Sequence, residues 1–153
     1  MWFKNAASNV WNATKNILAD SRSPARRLLD EVVLSSEDII PTNKLNDLAA
    51  LTFDLESFQE IVDLVIERIR VFKYDLDEAR KNLNMLIVIN YLIKHGATAF
   101  VDELRSFIPT FKKYQTLEEL KTYEDSLMQG KLNYELEKIK SRAQHIQTLL
   151  EDK

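Results

Sequence analysis

Few side chains in this 153-residue sequence carry the chemistry of catalysis. It has two histidines, His95 and His145, and no cysteine, which removes thiolate nucleophiles, disulfides and thiolate metal sites. His95 falls at the predicted end of one helix and His145 within another, and neither has a partner at metal-ligand spacing. Surface or capping roles are expected for both. The run DLDEAR (75–80) clusters carboxylates, but Asp75 and Glu78 stand at the spacing of a helix capping box, a solvated helix start. No glycine-rich phosphate loop and no nucleophile-elbow motif occurs. The reading is therefore a chain that is not an enzyme, with no cofactor and no metal.

The chemistry that remains is charge and apolar surface, and both are unevenly placed. The net charge is −3, yet residues 1–27 hold Lys4, Lys15, Arg22, Arg26 and Arg27 against the single acid Asp20, a balance of +4. The rest keeps 16 basic and 23 acidic residues, or −7. A broad basic face for nucleic acid is disfavoured there. Both tryptophans lie in the opening stretch MWFKNAASNVWNATKNIL. On a helical wheel Trp2, Phe3, Ala6, Ala7, Val10, Trp11, Ala13, Ile17 and Leu18 share one half with Thr14, while lysine, serine and asparagine fill the other. Three destinations fit such a face: the protein's own core, a membrane interface where aromatic residues and flanking lysines are favoured, or a partner's helix-binding groove.

These residues must be positioned by helices. Two glycines and three prolines argue for long helices with few tight turns, and 45% hydrophobic with 29% charged residues is globular composition. No apolar run approaches the ~20 residues of a membrane span, and the opening segment lacks the unbroken apolar stretch of a secretory signal. Ser23-Pro24 reads as an N-cap followed by proline at the first helical position. Ser57…Glu60, Asp75…Glu78 and Thr116…Glu119 resemble capping boxes, and Gly96 stands where a left-handed helix terminus is expected. Helices are predicted at about 3–19, 24–36, 43–52, 57–72, 75–95, 98–106, 109–122 and 131–150. The stretch MLIVINYLI marks a central helix buried on most sides. The fold class is all-α in one domain.

Three segments together resemble the epsin N-terminal homology (ENTH) domain: LNDLAALTFDLESFQEIVDLV (45–65), IVINYLIKHGATAFVDELR (87–105) and the tail LMQGKLNYELEKIKSRAQHIQTLLEDK. Leu51-Thr52-Phe53 is similar to the family's Leu-Thr-Tyr turn. Tyr91-Leu92-Ile93-Lys94-His95-Gly96 is similar to its Tyr-Leu-Ile-Lys-x-Gly helix end, and Gln129-Gly130 to its Asp-Gln-Gly turn. The resemblance covers roughly residues 24–152. It implies a right-handed superhelix of about eight helices, ENTH/VHS-like, over residues 21–153, preceded by an amphipathic "helix zero" over 1–20.

The resemblance further implies an epsin-like, phosphoinositide-binding membrane adaptor of clathrin-coated vesicle formation. It would be cytoplasmic and peripheral on the plasma membrane, Golgi, endosome or coated vesicles. Partners implied are phosphoinositide-containing or anionic membranes, clathrin or adaptor proteins through segments outside this chain, and further copies of itself on the membrane, but no nucleic acid. Helix zero would insert Trp2, Phe3, Val10, Trp11, Ile17 and Leu18 into the leaflet. Anionic lipid would be met by Lys4, Lys15, Arg22, Arg26, Arg27, Arg68, Arg80 and Lys81. Arg68, ten residues after Phe58, matches the family best. The departures are specific: SSEDIIP replaces the Asp-Pro-Trp-Gly loop, ARKNLN replaces Trp-Arg-x-Val-Tyr-Lys, and Asn84 stands where a pocket lysine is expected. A pocket with fewer cationic donors follows. The alternative is a protein-interaction module on the same fold, with the N-terminal helix packed on the domain or on a second copy.

Overall fold

The computed structural model describes residues 21–152, so the predicted helix over 3–19 lies outside the described residues. Seven α-helices follow one another: α1 (Pro24–Val33), α2 (Thr42–Leu51), α3 (Leu55–Ile69), α4 (Leu76–His95), α5 (Thr98–Leu104), α6 (Ile108–Tyr114) and α7 (Ser126–Asp152), with a 3-10 turn at Arg105–Phe107. No strand occurs among the described residues. Each of α1 and α4 starts on the cap its sequence announces. The Ser23 side chain accepts from the Arg26 amide at 3.1 Å ahead of Pro24, and Asp75 accepts from the Glu78 amide at 3.1 Å.

The core is arranged around α4, whose Leu86, Val88, Ile89 and Leu92 are fully enclosed. It packs on α7 most extensively, on α2, and on α1 and α3. On α7, Leu132, Leu136, Ile139, Ala143 and Ile146 are buried in the same core, one apolar residue every three or four positions. Burying a leucine or isoleucine side chain of this kind contributes about 1.5–3 kcal/mol. Two of the three segments that resemble the family touch in space. Thr52 Oγ1, at the end of α2, donates to Ala49 O at 2.6 Å and accepts from the Ala97 amide at 2.8 Å, just beyond α4.

Several local expectations are corrected. Gly96 does end α4, but its φ of −89° is not left-handed. Glycine is required there by close approach, because a Cβ would lie 2.8 Å from Leu92 O and 3.0 Å from Thr52 Oγ1. The N-cap of α3 is Asp54, which accepts from the Ser57 amide at 3.0 Å, so Ser57 is already inside the helix. The helix predicted over 109–122 stops at Tyr114, where Thr116 Oγ1 turns back to Lys113 O at 2.7 Å. Helical propensity in TLEELK is overridden by tertiary bonds. Gln129 accepts from the Thr122 and Tyr123 amides at 2.7 and 2.9 Å and donates to Leu120 O at 3.0 Å, holding this stretch as a loop. Consequently α7 begins at Ser126, and Gly130 lies within it rather than in a turn.

Candidate functional site

Two helical stripes face each other between α1 and α3. Arg26, Leu29, Asp30 and Val33 recur at i, i+3, i+4 and i+7 on α1, and Leu64, Glu67 and Arg68 repeat the spacing on the last turns of α3, with Val71 following in the turn beyond it. With Met85 from α4 they line a cleft of about 270 Å³. Apolar side chains from both stripes line it beside two guanidinium groups, which suits a small anionic group. An adjoining depression of about 470 Å³ is lined by Arg22, Arg27, Asp30, Glu31 and Leu34. Four of the arginines marked in the sequence thus line two adjoining depressions along α1.

Their charge is already engaged. Asp30 Oδ2 lies 2.8 Å from Arg22 Nη1 and 3.8 Å from Arg26 Nε. Glu78, in the first turn of α4, lies 3.2 Å from Arg68 Nη1 and 3.1 Å from Lys81 Nζ. The Lys81 ammonium, with help from Arg68, holds the Glu78 carboxyl below the usual carboxylate range, against the opposing pull of partial burial. Glu31 is bonded by Lys44, and Glu67 lines the cleft itself. Any anion entering must compete with these carboxylates.

Arg80 lies outside this cleft. It is 3.9 Å from the buried Glu135 of α7, which Lys138 also approaches at 3.2 Å. Lys81 reaches the cleft's edge only through Glu78. Asn84, standing where a pocket lysine was expected, is 8% exposed and donates to Val33 O and Ser35 O, each at 3.1 Å. It closes the C-terminal end of α1 and is a structural clamp. Lys4, Lys15 and the apolar set Trp2, Phe3, Val10, Trp11, Ile17 and Leu18 lie outside the described residues. Sequence reasoning missed the carboxylates of the site, Asp30, Glu67 and Glu78, as competitors. The signal for Asp30 was its i+4 spacing from Arg26; the Arg68–Glu78 contact crosses helices and left no local signal.

Comparison with known proteins places this geometry in a class of helical domains. The family model of the ENTH domain matches residues 22–153, and the chain belongs to that family. Among solved structures it is similar to the ENTH domain of epsin-2 in complex with phosphatidylinositol 4,5-bisphosphate, with a TM-score of 0.71 and 22% identity over 92% of this chain and 90% of that one. It is also similar to the yeast Ent1 ENTH domain, with a TM-score of 0.68 and 22% identity over 86% and 88%. A third similar structure is a helical assembly of ANTH and ENTH domains as tubules on PI(4,5)P2-containing membranes, with a TM-score of 0.60 and 22% identity over 94% and 86%. These likenesses establish the all-α ENTH superhelix. No curated protein sequence matches the chain. No helix among the described residues is long and apolar enough to cross a membrane.

Proposed function

We propose that this domain is a membrane adaptor of coated-vesicle formation that inserts its N-terminal amphipathic segment into a leaflet and reads anionic or phosphoinositide headgroups with the α1–α3 cleft. One observation carries the reading: Arg26 and Arg68 line a cleft along α1, the helix that follows in sequence the segment whose apolar face holds both tryptophans. The similar epsin-2 domain is described in complex with phosphatidylinositol 4,5-bisphosphate, and the similar tubules form on membranes containing it, which supports the same ligand class here.

The magnitudes set the division of labour. Six large apolar side chains at about 1.5–3 kcal/mol each give an upper bound of roughly 10–15 kcal/mol for insertion. Ordering a helix that is marginal alone in water removes much of it. A basic residue near an anionic leaflet adds only about 1 kcal/mol, and Asp30 and Glu78 offset part of that. Insertion dominates, and the cleft selects the membrane. Flotation of the full chain with anionic vesicles tests this: Trp2→Ser with Trp11→Ser is expected to abolish binding, and unchanged binding refutes the insertion.

A further inference from the structure

The turn after α3 presents a second surface that extends beyond the α1–α3 cleft and shares only Val71 with it. Val71 is 55% exposed, a large aliphatic side chain held in water between Arg70 and Lys73. The turn that carries it is firmly fixed. Tyr114 donates from its hydroxyl to Ile69 O at 2.9 Å, and Asn82 Nδ2 donates to Val71 O at 2.9 Å and to the Tyr114 hydroxyl at 2.8 Å. The Phe72 ring packs edge-on against Tyr74 at 5.2 Å and Tyr114 at 6.0 Å. With the backbone pinned on both sides of it, Val71 is held facing outward.

Beside it, between this turn and α6, lies a cleft of about 520 Å³ walled by Phe72, Tyr74 and Tyr114 and edged by Arg70 and Lys113. No carboxylate lines it, although residues 28–153 carry an excess of acids. Neither cation is ion-paired among the described residues; the Arg70 guanidinium instead stands 5.8 Å over the Phe107 ring. Val71 lines this cleft and the α1–α3 cleft alike, so the two adjoin at one exposed apolar residue.

We propose that the α3–α4 turn and this aromatic cleft form a second contact with an anionic lipid surface, where Arg70 and Lys113 meet lipid phosphate and Val71 enters the interface. The inference rests on the membrane reading above and adds a contact to it. Charge complementarity favours lipid phosphate. Arg70 and Lys113 edge a largely apolar floor with no carboxylate in its lining, while Asp63 and Glu67 line the neighbouring depression that shares Arg70 and Val71. Such a floor matches a surface that is anionic outside and apolar beneath. Continuity with the Arg26–Arg68 cleft through Val71 sets the two contacts side by side. The contact fixes the domain's tilt, since two points of attachment beyond the inserting segment define how it stands on the bilayer.

Co-sedimentation of the full chain with phosphatidylserine vesicles containing phosphatidylinositol 4,5-bisphosphate tests the contact. Arg70→Ala with Lys113→Ala, both exposed, is expected to weaken binding by at least about fivefold. Lys94→Ala with Arg142→Ala removes the same charge from the groove between α4 and α7, which shares no residue with either cleft, and is expected to leave binding unchanged. Because the chain has no cysteine, Val71→Cys takes a single environment-sensitive fluorophore, expected to shift to the blue on vesicles while the same label at Lys94→Cys does not. Equal losses from the two double variants, or no shift at position 71, overturn the contact while wild-type binding upholds the membrane reading. Absence of binding by the wild-type chain overturns both.

Discussion

Replacing Glu78 with glutamine is expected to weaken the fold and strengthen membrane binding at the same time. The carboxylate lies 3.2 Å from Arg68 and 3.1 Å from Lys81, with about a third of its side chain exposed. Two such partly exposed ion pairs are worth about 0.2–1 kcal/mol each. A carboxylate in the first turn of α4 adds roughly 0.3–1 kcal/mol against the helix macrodipole. The expected loss of stability is therefore about 1–3 kcal/mol, inside the ~5–15 kcal/mol of an ordinary domain. On the membrane side the site gains one unit of positive charge, worth about 1 kcal/mol at an anionic leaflet, or roughly fivefold in Kd.

The assay for Glu78→Gln is a thermal melt paired with vesicle co-sedimentation at low and high salt. A lower Tm with tighter, salt-sensitive binding is expected. The pH dependence has a defined sign. Glu78 titrates below its ordinary range when folded, so its stabilising contribution is present above the unfolded carboxyl pKa and is lost as pH falls through the lowered value. The glutamine variant lacks that component. A lower Tm with unchanged or weaker binding contradicts this expectation, because Arg68 and Lys81 would then face nothing anionic.

Three further outcomes follow from the fold. Gly96→Ala forces a methyl group within 2.8 Å of Leu92 O and 3.0 Å of Thr52 Oγ1, and is expected to cost about 1–3 kcal/mol in denaturant unfolding. Tyr114→Phe removes the bond to Ile69 O and is expected to cost ~1–2 kcal/mol at neutral pH. Burial raises the Tyr114 phenol from 10.0 to about 12, so wild-type stability is expected to fall as pH rises across that window, and the variant is expected to lose this component of the fall in alkaline melts. Asp54→Ala, which uncaps α3, is expected to cost about 1 kcal/mol, while Ser57→Ala leaves Tm nearly unchanged; the reverse order contradicts the cap assignment.

What the sequence made legible was local. Ser23-Pro24 and Asp75…Glu78 announce two helix starts because a cap is decided within four residues. The apolar run around Ile87–Ile93 announces the central helix because burial on most sides leaves few polar positions. The misses are long-range. Gln129 turns a helix-prone stretch into a loop by bonding backbone six to nine residues away. Asn84 becomes a clamp through carbonyls about fifty residues distant. At the site, the spacing of Arg26 and Arg68 on their helices was readable, but their convergence needed the packing of α1 on α3. Arg80 could not be separated from Lys81 by sequence, since neighbours on a helix point about 100° apart and only the position of α7 decides which one pairs with Glu135.

The claim that the N-terminal segment inserts into lipid is tested most directly by the emission of Trp2 and Trp11, the only tryptophans in the chain. Anionic vesicles carrying phosphatidylinositol 4,5-bisphosphate and acyl chains brominated near the headgroup are titrated into the full protein. A blue shift with strong quenching by the bromolipid is expected. Emission that is already blue-shifted without lipid, and that stays unshifted and unquenched as vesicles are added, contradicts it and places the apolar face against protein.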